Sequence, residues 1–392
     1  MKKIISYCIT LLVLFSFQMK AFAADEPQLE LKSEAACLLD SETNAVLYAK
    51  NAEEKMYPAS VTKIATAIYA IEKGDLNSIA TVSANAVRQD GTRVYLNEGE
   101  QVPLKKLIQG MLINSGNDAA VAIAEHIDGS VEQFAGNLNE YLKTTIGVKN
   151  THFTNPSGLH DVNHYTTAMD LALITNYAMK NPTFAEIFGT KELMWVGQSW
   201  STKLLTHHRM LKGELPYPGV TGGKTGYTTD SKQTLATTAN NGKLKLTAIV
   251  LKSELKNDKY KDTATLFDFG FNHFQNALLK QGEVYRKDQK QYFLDKDTLI
   301  TEDVKGTTKE VDNNGILLIK NTNGKEVQKV PLQLKQLKTV AKKYDSANKI
   351  AHSQTSNKEN FTILYAIFGV VFIVIAGIMI GVRKKMPKKY QA

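Results

Sequence analysis

Residues 57–74 read YPASVTKIATAIYAIEKG. Pro58 and Gly74 bracket an apolar helical pattern in which Ile64, Ala65, Ala67, Ile68, Ala70 and Ile71 leave little polar face. Such a helix is suited to the inside of a domain. It nevertheless begins with a hydroxyl and an amine, Ser60 and Lys63, three residues apart and so on one face. An N-capping serine and a lysine reaching for solvent explain the pair without chemistry. Ser253 and Lys256 repeat the spacing in a charged segment, so S-x-x-K alone assigns nothing.

Outward from this helix, residues 35–49 read as a hairpin, Ala36–Leu39 and Ala45–Tyr48 joined by a polar turn over Asp40–Asn44. Residues 58–190 are mostly helical patterns with short connections. Strand patterns return at Val220–Thr228, Gln233–Ala239 and Leu244–Leu251, the last two joined by Asn240-Asn241-Gly242, a hairpin signal. The economical fold is α/β: one antiparallel sheet made from both ends of the domain, flanked by helices, with a helical block inserted. A helix over Asp258–Phe274 is expected to cover the sheet. Composition shifts near Gln275. Alternation at Glu283–Tyr285 and Lys290–Leu294, with turns at Asn313-Asn314-Gly315 and Asn323-Gly324, predicts a small all-β domain over 276–334. Residues 335–360, rich in Lys, Ser and Asn, read as a linker.

The ends of the chain carry targeting signals. Lys2 and Lys3, the apolar run Ile4–Phe17 and Ala21-Phe22-Ala23 predict a signal peptide over 1–23. Phe361–Val382 is 22 residues without a charge, long enough to span a bilayer. Arg383, Lys384, Lys385, Lys388 and Lys389 follow, so the tail 383–392 is expected in the cytoplasm and residues 24–275 outside the membrane. With the cations of both termini set aside, the formal charge of +9 falls to +1 for residues 24–382, which argues against a nucleic-acid partner. Cys8 leaves with the signal peptide, and Cys37 reads as a buried structural thiol in a strand.

Two further motifs bear on Ser60 and Lys63. Ser115-Gly116-Asn117 interrupts two helical patterns, Leu104–Ile113 and Asp118–Ile127, and by itself is an ordinary helix-start turn. Lys224-Thr225-Gly226 lies on a strand pattern with glycines at 222, 223 and 226, where another backbone is expected to approach closely. S-x-x-K, S-x-N and K-T-G in this order resemble the penicillin-binding proteins and class A β-lactamases. S-G-N in place of S-D-N is similar to the low-molecular-mass serine-type D-alanyl-D-alanine carboxypeptidases (peptidase S11). The resemblance covers roughly residues 33–275 and includes NPSGLH at 155–160 and HYTTAMDLA at 164–172.

It implies a β-lactamase/transpeptidase-like fold and hydrolysis of the terminal D-alanine of peptidoglycan stem peptides through an acyl-Ser60 intermediate, with β-lactams as covalent inhibitors. Ser60 would be the nucleophile and Lys63 its base, deprotonated by burial and a nearby cation, Lys224. Ser115 would relay a proton to the leaving amine, and Asn117 would hold the substrate amide. Lys224 and Thr225 would bind the terminal carboxylate, and the backbone N–H groups of Ser60 and Tyr227 would form the oxyanion hole. Many relatives carry histidine where Tyr227 stands. No cofactor or metal is expected. His160-Asp161-Val162-Asn163-His164 imitates a zinc motif but follows a turn sequence instead of opening a helix. The deacylating E-x-x-L-N segment of class A β-lactamases is absent. Transpeptidase or endopeptidase action, and a binding scaffold without turnover, remain alternatives.

Overall fold

The computed structural model describes residues 29–335 apart from 199. The predicted signal peptide, most of the linker, the bilayer span and the basic tail lie outside these residues. The central sheet has five antiparallel strands in the order β2-β1-β9-β8-β7. These are β1 (Ala35–Asp40), β2 (Val46–Lys50), β7 (Val220–Thr228), β8 (Lys232–Asn240) and β9 (Lys245–Ser253). The N-terminal hairpin joins the C-terminal meander through β1 and β9, with Ala36 opposite Val250 and Leu38 opposite Ala248. All six residues of β1 are buried, because alternate side chains enter two different cores. Cys37, Leu39 and Ile249 face the inserted helices, whereas Ala36, Leu38 and Val250 pack with Phe267. Cys37 is the buried thiol foreseen, its Sγ 3.9 Å from Met169 Sδ, and burial raises its pKa.

The inserted block contains α1 (Lys63–Lys73), α2 (Ala84–Val87), α3 (Leu104–Ile113), α4 (Asn117–Asp128), α5 (Val131–Tyr141), α6 (Ala168–Met179) and α7 (Pro182–Phe188). Buried residues of α1, α3, α4 and α6 share one apolar core with the sheet. Two ribbons escape the sequence reading: β3 (Ile79–Thr81) with β4 (Gln101–Pro103), and β5 (Glu192–Val196) with β6 (Ser201–Leu205). The first has three-residue strands. The second buries only Trp195 and Leu204 among its ten residues, too little alternation to read. The short helix α8 (Arg209–Lys212) follows, capped by His208, which accepts from Leu211 N.

The predicted covering helix is α9 (Asp258–His273). It runs directly into β10 (Phe274–Leu279), which pairs with β13 (Thr298–Asp303). β11 (Val284–Lys287), β12 (Lys290–Phe293) and β17 (Gln333–Leu334) form a second small sheet. β14 (Thr308–Val311), β15 (Ile316–Lys320) and β16 (Glu326–Pro331) form a third. This all-β part is fixed to the turn between β1 and β2 by Thr301 Oγ1, which donates to Asp40 Oδ2 (3.0 Å) and lies 2.6 Å from Thr43 Oγ1.

Candidate active site

Ser60 lies in a single 3-10 turn, Ala59–Thr62, that leads into α1. The turn is entered through Ala59 at φ +51°, a left-handed conformation that costs an alanine roughly 1–2 kcal/mol. Three elements hold it there. Thr234 Oγ1 on β8 donates to Pro58 O (2.9 Å), crossing β7 at Gly226, where a Cβ would lie 2.3 Å from that hydroxyl. Thr62 Oγ1 meets His164 Nε2 at 2.8 Å, and His164 Nδ1 accepts from Thr154 N (3.1 Å), so Nε2 carries the hydrogen. Burial pushes the His164 pKa down to about 3 and keeps the ring neutral. Its partner in the zinc-like motif, His160, instead lies edge-on to Tyr57, with Nδ1 3.6 Å from Asp230.

Lys63, the first residue of α1, is fully buried. Its Nζ lies 2.9 Å from Ser60 Oγ, 2.7 Å from Asn117 Oδ1 and 2.5 Å from Ser157 O. Burial first, then the charge of Lys224, lowers its pKa well below the usual lysine range, while Asp118 opposes this. A neutral amine has two hydrogens and one lone pair. The amide oxygen of Asn117 and the carbonyl of Ser157 can only accept, so they take both hydrogens. The lone pair is left for the hydroxyl of Ser60.

Ser157 was not foreseen as a functional residue. It belongs to the NPSG turn, which Asn155 Oδ1 organises by accepting from Ser157 N (3.1 Å) and Gly158 N (2.7 Å). Thr66 Oγ1 ties the turn to α1 through Pro156 O (2.7 Å). Asp118 was also missed. Its buried carboxylate accepts from Val94 N (3.0 Å) and Leu96 N (3.2 Å), pinning the loop before β4 to the first turn of α4.

Ser115 sits between α3 and α4 at φ +62° and accepts from Lys224 Nζ (2.9 Å). Lys224 also donates to Thr225 O (2.8 Å). Asn117 Nδ2 donates to Asp90 O (2.6 Å), so one amide hydrogen stays available for a substrate. Thr225, Gly226 and the 61 % exposed Tyr227 line a cavity of about 380 Å³ with Ser60 and Ser115. β7 is the sheet's edge, so its outer backbone groups are open beside this cavity. Its glycines are crowded by the protein itself: the side chains of Phe188 at Gly222 and His208 at Gly223 stand where a backbone was expected, and at Gly226 the Pro58 carbonyl supplies a backbone approach of the kind expected.

A family model described as D-alanyl-D-alanine carboxypeptidase, peptidase S11, matches residues 20–254. The chain belongs to this family. An S11 relative, D-alanyl-D-alanine carboxypeptidase DacF of Bacillus subtilis, is 33% identical over 299 residues, 73% of this chain and 76% of that protein. DacA of Haemophilus influenzae is 30% identical over 292 residues, 71% of each chain. Among solved structures, penicillin-binding protein 5 of H. influenzae superposes with a TM-score of 0.67 at 25% identity, covering 79% of this chain and 98% of that one. A D-alanyl-D-alanine carboxypeptidase of Mycobacterium tuberculosis gives 0.60 at 29% identity, covering 64% and 95%.

This S11 site carries a third buried amine that sequence reading passed over. Lys259 on α9 donates to Gln233 Oε1 (2.8 Å) and Thr234 O (3.3 Å). Burial and Lys259 lower the Lys224 pKa to about 7, and burial and Lys256 lower that of Lys259 to about 7. Both groups are depressed below the unfolded value near 10.5. Between pH 7 and about 10.5 the unfolded chain therefore binds more protons, and stability rises with pH through that window. Each such lysine contributes up to about 1.4 kcal/mol per pH unit. Thermal unfolding from pH 7 to 9 should show a shallower rise for Lys259→Met than for the wild type. Equal slopes would remove Lys259 from the account.

Proposed function

We propose that the chain hydrolyses the terminal D-alanine of peptidoglycan stem peptides as a serine-type D-alanyl-D-alanine carboxypeptidase, and that β-lactams acylate the same serine. The observation that carries this is the buried amine of Lys63 against the Ser60 hydroxyl, with both amine hydrogens committed elsewhere. Lys63 takes the Ser60 proton as Oγ attacks the penultimate carbonyl, and an ester forms. Ser115, held by Lys224, gives a proton to the departing D-alanine nitrogen as the C–N bond breaks. Water then hydrolyses the ester by the same base.

Lys224 and Thr225 receive the terminal carboxylate, and Asn117 offers its remaining amide hydrogen to the substrate. The peptide pairs with the open edge of β7, and the Ser60 and Tyr227 backbone N–H groups meet the oxyanion. The exposed Tyr227 side chain shapes the pocket while its backbone carries that role. This reading places residues 24–275 outside the cytoplasm, held by a span at 361–382. Its support is the uncharged 22-residue run and the five cations that follow it.

The test is D-alanine release from a pentapeptide stem ending in D-Ala-D-Ala, with Ser60→Ala as control. Release by the wild type alone is expected. Release by both proteins would mean another nucleophile, and release by neither would leave a binding scaffold.

A further inference from the structure

With the terminal carboxylate at Lys224 and Thr225 and the reacting carbonyl at Tyr227 N, the acyl part of the substrate runs along β7 towards Thr228 and the turn into β8. That turn is tied by two hydrogen bonds, Thr228 N to Ser231 Oγ (2.8 Å) and Ser231 N to Thr228 Oγ1 (3.0 Å). Asp230 stands in it, 51 % exposed, and its one ion-pair partner among the described residues is His160 Nδ1 at 3.6 Å. An imidazole offsets a carboxylate only when it is protonated, so Asp230 has no permanent cation beside it. The nearby amines are engaged elsewhere: Lys232 with Glu254 (3.6 Å), Lys252 with Glu34 (2.8 Å), and Lys55 over the Tyr165 ring, 4.2 Å from its centroid. A cavity of about 270 Å³ opens beside Asp230, with Tyr57 and the exposed Val162 in its wall and Glu54 as a further carboxylate. The residue before the penultimate D-alanine falls beside Thr228. Asp230 lies two positions further on, roughly 7 Å at the rise of a strand, which a four-carbon side chain can cross.

We propose that Asp230 sets the specificity for the acyl part of the substrate: it receives the ammonium group of a long cationic side chain on the residue before the penultimate D-alanine, whose methylenes lie against Tyr57 and Val162. The inference rests on the acyl-Ser60 reading above and changes no step of it. Asp230 acts through charge and touches no reacting atom, and at a half-exposed position that charge is worth a few-fold in preference.

The test uses the full-length chain in detergent and D-alanine release from N-acetyl tripeptides X-D-Ala-D-Ala, with X as lysine, Nε-acetyl-lysine or glutamate. For the wild type, kcat/KM should be about threefold higher for lysine than for Nε-acetyl-lysine, and about 1 M salt should narrow that ratio. Asp230→Asn should abolish the preference at low salt, and Asp230→Lys should rank glutamate above lysine. Ratios taken within each protein read the charge at position 230 and are not moved by a general loss of activity. A wild type that treats lysine and Nε-acetyl-lysine alike, or an Asp230→Asn protein that keeps the preference, overturns the inference while D-alanine release still supports the proposed function. An Asp230→Lys protein that still ranks lysine above glutamate overturns it too. Release of D-alanine from none of the peptides by the wild type would fail the proposed function, and this inference with it.

Discussion

Lys63→Ala should lower the rate at which a β-lactam acylates Ser60 by about 10³-fold, the usual worth of a positioned general base. The lysine is the first residue of a buried helix, and its amine has no water to hydrate a charge. Its acceptors Asn117 Oδ1 and Ser157 O dispose of two hydrogens and leave the lone pair to Ser60. Lys63→Arg would keep the donors but fix a charge that cannot serve as a base, and should be as inactive. The wild-type rate should climb with pH as Lys63 loses its proton, a limb absent from both variants. Mass spectrometry of the protein after β-lactam exposure reads the adduct directly. Near-normal acylation of a folded Lys63→Ala protein would end the assignment.

Gly158→Ala is expected to be the most damaging change of a single methyl group near the site. Gly158 has φ +81°, and a Cβ there would lie 1.9 Å from Ala59 O and 2.4 Å from Ala59 C. Neither is the end of a flexible side chain, so backbone must move. The segment that moves enters the Ser60 turn, and the opposing turn carries the Ser157 carbonyl that holds Lys63. A loss of at least about 3 kcal/mol in urea unfolding is expected, together with loss of acylation. Gly99→Ala supplies the control. It has φ +78° but nothing within 4 Å of the added Cβ, and should cost only the left-handed strain, about 1–2 kcal/mol. Similar losses for the two variants would show that conformation and not collision governs Gly158.

The long elements were legible because each has a period or a stop signal. Val220–Thr228 is a strand to the residue, and Asp258–His273 ends one residue before the expected Phe274. The ribbons β3–β4 and β5–β6 were not legible, since strands of three residues or with one buried side chain leave no pattern to detect. The same limit applied to the site. Ser60, Lys63, Ser115, Asn117 and Lys224 stand in motifs with fixed spacing, and the structure brings them within hydrogen-bond reach in pairs. Ser157 acts through a carbonyl, which no residue type announces. Lys259 looks like any lysine of a charged helix start until α9 packs on the sheet and buries it.

By itself the sequence determined the helix that carries Ser60 and Lys63, the edge strand that carries Lys224, and the kinship that joins them, because these are local periods and local spacings. Only the tertiary structure decided that the Lys63 amine holds its proton weakly. Its state depends on burial, on Lys224 arriving from a strand 161 positions away, and on two acceptors from separate elements. Proton affinity is a property of surroundings, and surroundings come from the fold.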